Sequence, residues 1–398
     1  MPDDAPLSGV TVLDFTRVLS GPYCTMLLAD MGARVIKIEQ PGRGDDTRAW
    51  GPPFVHGESA YFLSINRNKE SLTLDLKHPS SRNVLDALLQ RADVVVENFR
   101  PGTMERLGLG YDDVARRFPR IVYCSISGFG QTGPRRAEPG YDAVIQGEAG
   151  LMSITGAADG PPFRLGVAIA DIVSGMFAAQ GIAMALLARE RTQRGQRVDV
   201  GMLDATAALL TYQAGIYFAT GNTPMRMGNR HPTIVPYETF PARDGDFVVA
   251  VGNDEQWIRF CGAIGAPELA GDVRFATNRD RVGNYEALRP LLVARLQSRT
   301  RSEWVEDLKA AGVPCGAVRD VAEVLQDSQL TAREMVETVE HTTAGALRVL
   351  GVPIKLSATP GAVRTAPPAL GEHTRQILAA DCGLSDREIE ALRARGVV

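Results

Sequence analysis

Asp171 is the residue whose type and setting in this sequence most clearly suggest chemistry. It lies between two apolar pairs, Ile169-Ala170 and Ile172-Val173, near the start of the apolar stretch Arg164–Arg191. This stretch predicts a helix after an initial turn, because its run of Ala, Met, Leu and Ile has no proline and exceeds the length of a strand. The free N–H groups and positive dipole end of a helix start favour an ionised carboxylate. A poorly solvated carboxylate can attack an activated acyl group.

The alternative for Asp171 is a purely structural role. Aspartate commonly caps the first turn of a helix, where its carboxylate accepts backbone N–H groups. The local sequence alone favours this cap over a nucleophile. The remainder of the chain must therefore decide between the two roles.

Composition excludes several classes of function. The chain has 398 residues, enough for two or three domains, and a net charge of −4 with no basic run. Nucleic-acid binding is not predicted, since nothing supplies phosphate neutralisation. The first residues, MPDDAPLSG, lack a signal pattern, and Ser174, Gly175, Gln180 and Gly181 interrupt the apolar helix. We therefore expect a cytoplasmic protein that does not cross a membrane.

The cysteines and histidines show no metal-site pattern. Five of each are scattered along the chain, and no CxxC spacing occurs. This distribution argues against a zinc site and a disulfide framework, and it is typical of a reducing compartment. We expect no metal or redox cofactor.

The first half of the chain predicts an α/β fold with a Rossmann-like parallel sheet. Val10–Phe15 and Arg34–Glu39 are apolar strand patterns, and a helix pattern from Gly21 to Met31 joins them into a βαβ unit. Further elements follow the same alternation: strands at Leu72–Leu76, Asp93–Glu97, Ile121–Ile126 and Gln196–Val200, and helices at Ser80–Gln90 and Met202–Thr220. Ligands bind such sheets at the carboxyl ends of the strands.

The second half predicts a smaller α+β domain and a return to the first. Residues 1–220 form the larger domain, 221–231 a linker, 232–318 the smaller domain, and 319–398 the returning segment. The smaller domain has a hairpin at Tyr237–Phe240 and Phe247–Val251, followed by helices at Asp254–Ile264, Tyr285–Gln297 and Ser302–Ala311. The returning segment has strand patterns in Leu347–Leu356 and helices at Gly371–Ala380 and Ser385–Arg395.

A glycine pattern after the strand Ile121–Ile126 resembles a dinucleotide fingerprint. Gly128–Gly133 reads GFGQTG, which fits G-x-G-x-x-G. The fingerprint should open a helix, but the next residues, PRRAEPG at 134–140, contain two prolines that resist one. We therefore predict a shaped loop here and not an NAD site.

Seven stretches taken together resemble the class III CoA-transferase family, which includes formyl-CoA transferase and the carnitine CoA-transferases. They keep the family's order and spacing nearly from end to end, and two of them, around GDDTRAW and HPTIVPYETF, are similar to the succinyl-CoA:glutarate CoA-transferase branch. The stretches are Val12–Pro22, Val35–Phe54, Asn66–Lys77, Val96–Tyr111, Pro139–Gln146, Gly166–Met176 and Leu370–Leu378.

The resemblance implies that Asp171 is the catalytic nucleophile. In the family this aspartate attacks the donor thioester to give an aspartyl–acyl anhydride, and the released CoA thiolate then forms an aspartyl-CoA thioester. The acceptor carboxylate is activated on the same residue. The resemblance also implies an interlaced homodimer, which composition cannot show.

The family's CoA contacts fall on residues of suitable chemistry, since Arg and Lys suit the anionic phosphates of CoA. Any one of these arginines taken alone would more often be a solvated surface charge. The residues implied are Arg17, Val18, Leu74, Lys77, Asn98, Phe99, Arg106 and Tyr141.

Three differences between this sequence and related enzyme families reduce the number of reactions that the chain is expected to catalyse. Leu19 replaces the glutamine of formyl-CoA transferase, and VGNDEQW at 251–257 replaces its glycine tetrad, which puts formyl-CoA and oxalate in doubt. Tyr141 stands where methylacyl-CoA racemases have a catalytic histidine. A phenol of ordinary pKa, about 10, is a poor base at neutral pH, which disfavours racemisation. A racemase-type isomerase is therefore the alternative and not the first prediction. A non-catalytic CoA-binding protein and an NAD-dependent oxidoreductase are weaker alternatives.

The predicted reaction moves CoA from succinyl-CoA, or a similar short acyl-CoA, to a small dicarboxylic acid such as glutarate. The acceptor's free carboxylate needs a cation, and Arg48 is the first candidate because arginine forks onto carboxylates. A salt bridge from Arg48 to Asp45 or Asp46 is nearly as plausible. Trp50 could line the acyl pocket or fill the core. Further candidates for the cation are Arg164, Arg230 and His231.

Overall fold

The computed structural model describes residues 5–398, which divide into two compact units. The first unit comprises the chain up to Leu151 together with Arg164–Gly215 and Ser328–Val398. The second unit comprises Met152–Phe163 and Ile216–Asp327. The chain thus leaves the first unit twice before its C-terminal segment returns to it, and the first excursion, Met152–Phe163, carries no signal in the sequence.

Thirteen strands occur among the described residues, eight of them before residue 202. They are β1 Thr11–Asp14, β2 Arg34–Glu39, β3 Phe54–Val55, β4 Glu58–Ser59, β5 Lys69–Thr73, β6 Val94–Glu97, β7 Val122–Ser127, β8 Arg197–Gly201, β9 Tyr237–Ala242, β10 Gly245–Ala250, β11 Cys315–Ala317, β12 Val336–His341 and β13 Gly345–Leu350.

Nineteen α-helices occur in the same part of the chain, with 3₁₀ turns at Asp46–Ala49 and Ala208–Leu210. They are α1 Ser20–Asp30, α2 Ala60–Ile65, α3 Ser81–Arg91, α4 Thr103–Arg106, α5 Tyr111–Arg117, α6 Asp142–Glu148, α7 Leu151–Ile154, α8 Ile169–Thr192, α9 Met202–Ala207, α10 Thr211–Thr220, α11 Asp254–Ala263, α12 Glu268–Gly271, α13 Asn278–Gly283, α14 Tyr285–Leu296, α15 Arg301–Ala310, α16 Val321–Leu325, α17 Ser328–Ala332, α18 Thr374–Ala380 and α19 Asp386–Ala394.

The first unit is built on a six-stranded parallel sheet, which confirms the predicted α/β class. The strand order is β5-β2-β1-β6-β7-β8. The chain proceeds outward from β1 through β2 and β5, then returns to β6 and proceeds outward on the other side. The junction between β1 and β6 is therefore the topological switch point, where open parallel sheets bind ligands.

Helices cover both faces of this sheet. Successive strand residues point to opposite faces, so Val12 packs with α1 and α8 whereas Leu13 packs with α3, α18 and α19. The central strands are apolar on both faces, as buried parallel strands must be. The α8 face is lined with small residues, including Ala170, Ala178 and Ala185, which let the helix pack closely on the sheet.

Two predicted elements differ from the observed ones. The strand predicted at Leu72–Leu76 begins three residues earlier, because buried Lys69 pairs with Asp14 at 3.2 Å and so tolerates a strand position. The helix predicted over Met202–Thr220 is broken into α9, a 3₁₀ turn and α10. The break lies at Thr211, whose φ of 37° is incompatible with a continuous helix.

The second unit has its own small sheet and core. Strands β11, β10 and β9 form a three-stranded antiparallel sheet, which contains the predicted hairpin. Helices α11, α14 and α15 pack their apolar residues against it. The buried aromatic residues of this core include Trp257, Phe260 and Phe275.

The C-terminal segment adds a hairpin and two helices to the first unit. Strand β13 begins two residues before the predicted strand region and overlaps only its start. It pairs with β12, which the polar sequence VETVEH did not indicate. Residues 351–356 do not continue the strand. Helices α18 and α19 match their predictions within three residues and pack on the sheet.

Helix α8 stands out for its length and composition. Within residues 5–398 it alone is long and apolar enough to span a bilayer, a property that core helices of soluble proteins share, and 44% of its most apolar window is buried. Its exposed apolar residues are Met176, Phe177, Met184 and Leu187.

Candidate active site

A cavity of about 330 Å³ opens at the switch point of the sheet. The segments that follow β1 and β6, which are adjacent and parallel, form two of its walls. Asp171 forms part of a third wall. The charged residues lining the cavity are Arg17, Asp46, Arg100, Glu138 and Asp171.

Asp171 is the third residue of α8, and its carboxylate faces the start of α1. The hydroxyl and the backbone N–H of Ser20 lie beside it and favour its ionised form. Gly175, one turn later, makes this approach possible. A Cβ on Gly175 would lie 2.6 Å from the carbonyl oxygen of Ser20, so only glycine lets α8 pack this closely on α1.

The protonation of Asp171 differs from the prediction. The helix dipole was expected to keep the carboxylate ionised, but burial, and secondarily the negative charge of Asp142, raise its pKa to about 7. The neighbouring hydroxyl and N–H of Ser20 act in the opposite direction, and their effect on the pKa is weaker. The cost of desolvating the charge therefore exceeds the dipole's stabilisation.

The capping role is performed by another residue. Ala168 occupies the N-cap position of α8 and has no side chain that could accept a hydrogen bond. Asp142, the first residue of α6, instead accepts the N–H of Ala170 through Oδ1 at 2.9 Å. Asp171 is thus released from the structural role that the local sequence favoured.

The turn after β1 is held rigidly at the cavity. Asn98 accepts the N–H of Arg17 at 2.8 Å and donates to its carbonyl at 2.7 Å. Val18 has a φ of 66°, unfavourable for a β-branched residue, and its N–H donates to Asp45 at 3.2 Å. Asp45 is in turn paired with buried Lys37 at 2.9 Å. Arg17, Val18 and Asn98, which the family pattern implied as CoA contacts, are therefore brought together.

Two cations of the cavity have no acidic partner among the ion pairs of the described residues. The guanidinium of Arg17 lies 5.1 Å from the ring centre of Phe99. Arg100, which follows Phe99, is exposed and lines the same cavity. These two arginines are the groups best placed there to meet an anionic ligand.

The glycine pattern forms a loop that places Tyr141, as predicted. Gly128 contacts Gly140 so closely that a Cβ on Gly128 would lie 2.7 Å from the Cα of Gly140. The N–H of Gln131 is bound by Asp199, and no helix begins before Asp142. Tyr141 is 69% exposed and lines the cavity.

An aromatic pair lies near Asp171. Trp50 is 41% exposed and packs edge-on against Tyr61, with ring centres 5.2 Å apart. Tyr61 packs beside Val18 and Ile172, and the charge of Asp171 contributes to raising its pKa to about 12, after the larger effect of burial. Trp50 is therefore half-exposed, does not fill the core and is not among the residues that line the cavity of Asp171.

The remaining predicted CoA residues lie elsewhere in the first unit. Lys77 and Arg106 line a separate depression of about 340 Å³, together with His78 and Arg82. Leu74 is buried in the core beneath the sheet and presents almost no surface. The basic depression can hold an anionic group, whereas Leu74 can contribute only packing.

Arg48 is engaged inside the protein. It forks onto Glu39, with Nε and Nη2 each 2.8 Å from a carboxylate oxygen, and its guanidinium stacks 3.6 Å from the ring centre of Phe62. Its side chain is 9% exposed. An internal ion pair was the expected alternative, but the partner is Glu39 and neither Asp45 nor Asp46.

The other residues predicted to bind the acceptor's free carboxylate lie in different parts of the structure. Arg164 is exposed in the first unit, and Arg230 and His231 belong to the second. Arg230 lies 3.5 Å from the ring centre of Tyr285, and the His231 ring packs 5.2 Å from that of Tyr237. Burial lowers the pKa of His231, which disfavours its cationic form.

The described part of the chain contains no cluster of three His, Cys, Asp or Glu side chains suited to a metal ion. All five cysteines are unpaired.

Four residues of the site were not predicted: Ser20, Tyr61, Arg100 and Asp142. Arg100 follows directly after the predicted Asn98 and Phe99, so its place after a strand was a usable signal. Asp142 adjoins Tyr141 in the same way. Nothing in the sequence indicated Ser20 or Tyr61, because their contacts with Asp171 arise from the packing of α1 and α2.

The chain is similar to known proteins over most of its length. Residues 7–374 match CoA-transferase family III. The chain is 42% identical over 393 residues to succinyl-CoA:glutarate CoA-transferase of Mus musculus, covering 99% of this chain and 90% of that protein. It is 45% identical over 353 residues to acetyl-CoA:oxalate CoA-transferase of Acetobacter aceti, covering 88% and 89%. A CAIB/BAIF family protein from Brucella suis has a TM-score of 0.85 at 41% identity, covering 95% of this chain and all of that one.

Proposed function

The chain belongs to CoA-transferase family III and is an enzyme of the CoA-transferase type, and we propose that it moves CoA from succinyl-CoA, or a similar short acyl-CoA, to a small dicarboxylic acid such as glutarate. The predicted family is confirmed, and CoA thioesters are the substrates of such enzymes. The observation that carries the proposal is the Asp171 carboxylate, which lines the cavity at the switch point together with Ser20.

The first half of the reaction exchanges the donor acid for CoA on Asp171. Its carboxylate attacks the thioester carbonyl, the C–S bond breaks, and CoA leaves as a thiolate from a mixed anhydride. The thiolate then attacks the aspartyl carbonyl, which releases the donor carboxylate and leaves an aspartyl-CoA thioester. Both steps conserve charge, so no external proton or oxidant is needed.

The second half repeats these steps with the acceptor. The acceptor carboxylate attacks the aspartyl thioester, CoA thiolate leaves again, and its attack on the acceptor carbonyl yields the new acyl-CoA and a free Asp171. Ser20 supports both halves, because its hydroxyl and N–H lie beside the Asp171 carboxyl and can stabilise the negative charge that develops on its oxygen whenever the aspartyl carbonyl is attacked.

CoA is held by two separate groups of residues in this proposal. Arg17, Val18, Asn98, Phe99 and Tyr141 surround the reacting end, since all five line the cavity of Asp171. Lys77 and Arg106 hold a phosphate of the nucleotide end in the basic depression. Leu74 supports this end only by packing.

The acceptor's free carboxylate is assigned to Arg100. It is the exposed cation of the cavity, whereas Arg48 is occupied by Glu39 and Arg17 stacks on Phe99. Tyr61 packs beside Ile172, next to Asp171, and together with Trp50 it is proposed to limit the acyl chain from outside the residues that line the cavity. His231, Arg164 and Arg230 do not line the cavity of Asp171.

An interlaced homodimer and a cytoplasmic location are also part of the proposal. The exposed apolar residues of α8 give a partner chain a surface to cover, and such patches on soluble proteins mark interaction sites. The five unpaired cysteines are typical of a reducing compartment.

The racemase alternative is not favoured. The compared relatives are named as CoA-transferases, and Tyr141 is placed where a racemase needs a base. The oxalate enzyme's 45% identity does favour one variant of the proposal, in which acetyl-CoA is the donor and oxalate the acceptor.

The experiment is acyl exchange monitored by mass spectrometry. Purified enzyme is mixed with succinyl-CoA or acetyl-CoA and, separately, glutarate, oxalate, malate, itaconate, mesaconate or citramalate, and Asp171→Ala is assayed in parallel. We expect glutaryl-CoA from succinyl-CoA with the wild type and none with the variant. Exchange of the α-proton of a methyl-branched acyl-CoA, without any acyl exchange, would overturn the proposal.

A further inference from the structure

We propose that Asp142 and Gln146, neighbours on one face of α6, are positioning residues that clamp the peptide before the nucleophile and place a second carboxylate beside it. This inference rests on the proposed function, in which Asp171 is the nucleophile. Neither residue has a role in the reaction described above.

The clamp consists of four hydrogen bonds. Asp142 accepts the N–H of Ala170 through Oδ1 at 2.9 Å, and its Oδ2 accepts Nε2 of Gln146 at 2.8 Å. Gln146 accepts the N–H of Leu165 through Oε1 at 2.9 Å and donates to the carbonyl of Val167 at 3.4 Å. The spacing of four residues puts both side chains on one face of α6.

The clamped peptide leads directly to Asp171. It spans Leu165–Ala170, and its residues up to Val167 are exposed. Ala168 is the N-cap residue of α8, and its side chain cannot cap a helix. Gln146 is completely buried, so removing either of its partners would leave an unsatisfied amide in the interior. Without the clamp, the first turn of α8 has nothing from its own N-cap to fix it.

Asp142 also acts on the charge of Asp171. By taking the Ala170 N–H, it removes from Asp171 a donor that would have stabilised the ionised form. Its own charge is the second cause, after burial, of the raised pKa of Asp171. A more basic carboxylate is a better nucleophile toward a thioester and a poorer leaving group from the anhydride.

Other groups around Asp171 share this electrostatic environment. Tyr61 interacts with it from α2, and Ser20 lies beside it at the start of α1. The titratable side chains that line the same cavity are Arg17, Asp46, Arg100, Glu138 and Tyr141. Asp142 is distinguished from these by its direct contact with the first turn of α8.

The test compares two clamp variants with a matched control. Asp142→Asn keeps an oxygen for the Ala170 N–H but loses the charge and the hydrogen bond from Gln146 Nε2, because its amide nitrogen cannot accept one. Gln146→Met keeps the volume but loses the hydrogen bonds. The control, Glu148→Gln, removes an exposed carboxylate of the same helix that pairs with Arg135 outside the site.

We expect Asp142→Asn to lower kcat at least tenfold at pH 8, with the KM for acyl-CoA changed less than twofold. The acidic limb of its pH–rate profile should lie about one pH unit below the wild-type position near 7. Gln146→Met should lower kcat similarly but leave the limb in place, because Asp142 keeps its charge. Wild-type kcat and an unmoved limb in Asp142→Asn would overturn the proposal.

A measurement without turnover separates this proposal from the proposed function. The carboxyl of Asp171 is titrated by ¹³C NMR on aspartate-labelled protein, with Asp171→Asn used for assignment. A wild-type midpoint near 7 that falls in Asp142→Asn supports the clamp even if no acyl exchange is found. A wild-type midpoint below 5 would overturn it without any need for a folded clamp variant.

Discussion

At the scale of single residues, the site is defined by competing effects on one carboxylate. Asp171 has the helix position of a stabilised anion, yet burial and Asp142 raise its pKa to about 7. The opposing influence of Ser20 is insufficient to reverse this. A carboxyl with a pKa near 7 in a cavity is typical of functional sites.

The raised pKa of Asp171 predicts that this carboxyl, the proposed nucleophile, lowers the stability of the fold at neutral and higher pH. An acid with a raised pKa binds its proton more tightly in the folded state, so the folded state loses stability as pH rises from about 4 to 7. Asp171→Asn removes that loss. We expect it to raise the free energy of unfolding by about 1 kcal/mol at pH 8, a value reduced for solvent in the cavity, and to have no effect near pH 4.

Urea denaturation at the two pH values measures this difference. Glu148→Gln, which removes an exposed carboxylate, is the control and should leave the free energy of unfolding within about 0.5 kcal/mol of the wild type at both. A variant Asp171→Asn that is less stable than the wild type at pH 8 would show that the carboxylate is stabilised in the fold.

The sequence singled out Asp171, and for Arg48 it offered an internal ion pair as an alternative but not the partner that the structure shows. Asp171 was recognisable because an acid within an apolar helix is unusual in its own right. The partner of Arg48 is Glu39, which lies at the end of β2 and is buried. A loop arginine and a strand-end glutamate meet only through tertiary folding, so no local pattern could reveal the pair.

At the scale of elements, the parallel sheet explains why the site forms where it does. The turn after β1 and the turn after β6 lie next to each other because these strands are adjacent, and the alternation of strands and helices was sufficient to predict parallel strands. The order of the strands, which makes β1 and β6 neighbours, was not predicted. The contact of α8 with α1 could not be predicted, since it depends on the absence of a side chain at Gly175.

Gly175 is therefore predicted to be essential for activity. In Gly175→Ala the new methyl group would meet the Ser20 carbonyl at 2.6 Å, and separating α1 from α8 should cost about 1–3 kcal/mol and lower kcat at least tenfold. Thermal unfolding and the exchange assay measure the two effects.

The matched control is Gly262→Ala in α11. A methyl group at this position would have no atom within 4 Å outside its own helix turn and chain neighbours, so this variant should be stabilised by about 0.5–1 kcal/mol through helix propensity alone. If Gly175→Ala behaved like Gly262→Ala, close packing of the two helices would not be needed for catalysis.

At the scale of the whole molecule, the chain exposes apolar surface that a single copy does not use. On α8, Met184 is 59% and Leu187 is 71% exposed. The sequence shows these residues as part of a helix but cannot tell which face the core covers, because the helix is apolar on most sides. In the predicted homodimer, a second copy of the chain covers this face of α8.

The dimer is tested by placing charge on that face. We expect the wild type to sediment at twice the chain mass of 42.9 kDa, and Met184→Glu/Leu187→Glu to sediment as a monomer. A charged residue in an apolar interface is costly unless it is paired. Val273→Glu, at an 83% exposed position of the second unit, should remain dimeric. A monomeric wild type would contradict the prediction.

The most direct measurement is the mass of the intact protein during turnover. Enzyme is mixed with succinyl-CoA, quenched in acid within seconds, and analysed by mass spectrometry with peptide mapping. We expect CoA attached to the peptide that contains Asp171, absent in Asp171→Ala and discharged by glutarate. Rapid glutaryl-CoA formation with no adduct at Asp171, or with full activity in Asp171→Ala, would contradict covalent catalysis by this residue.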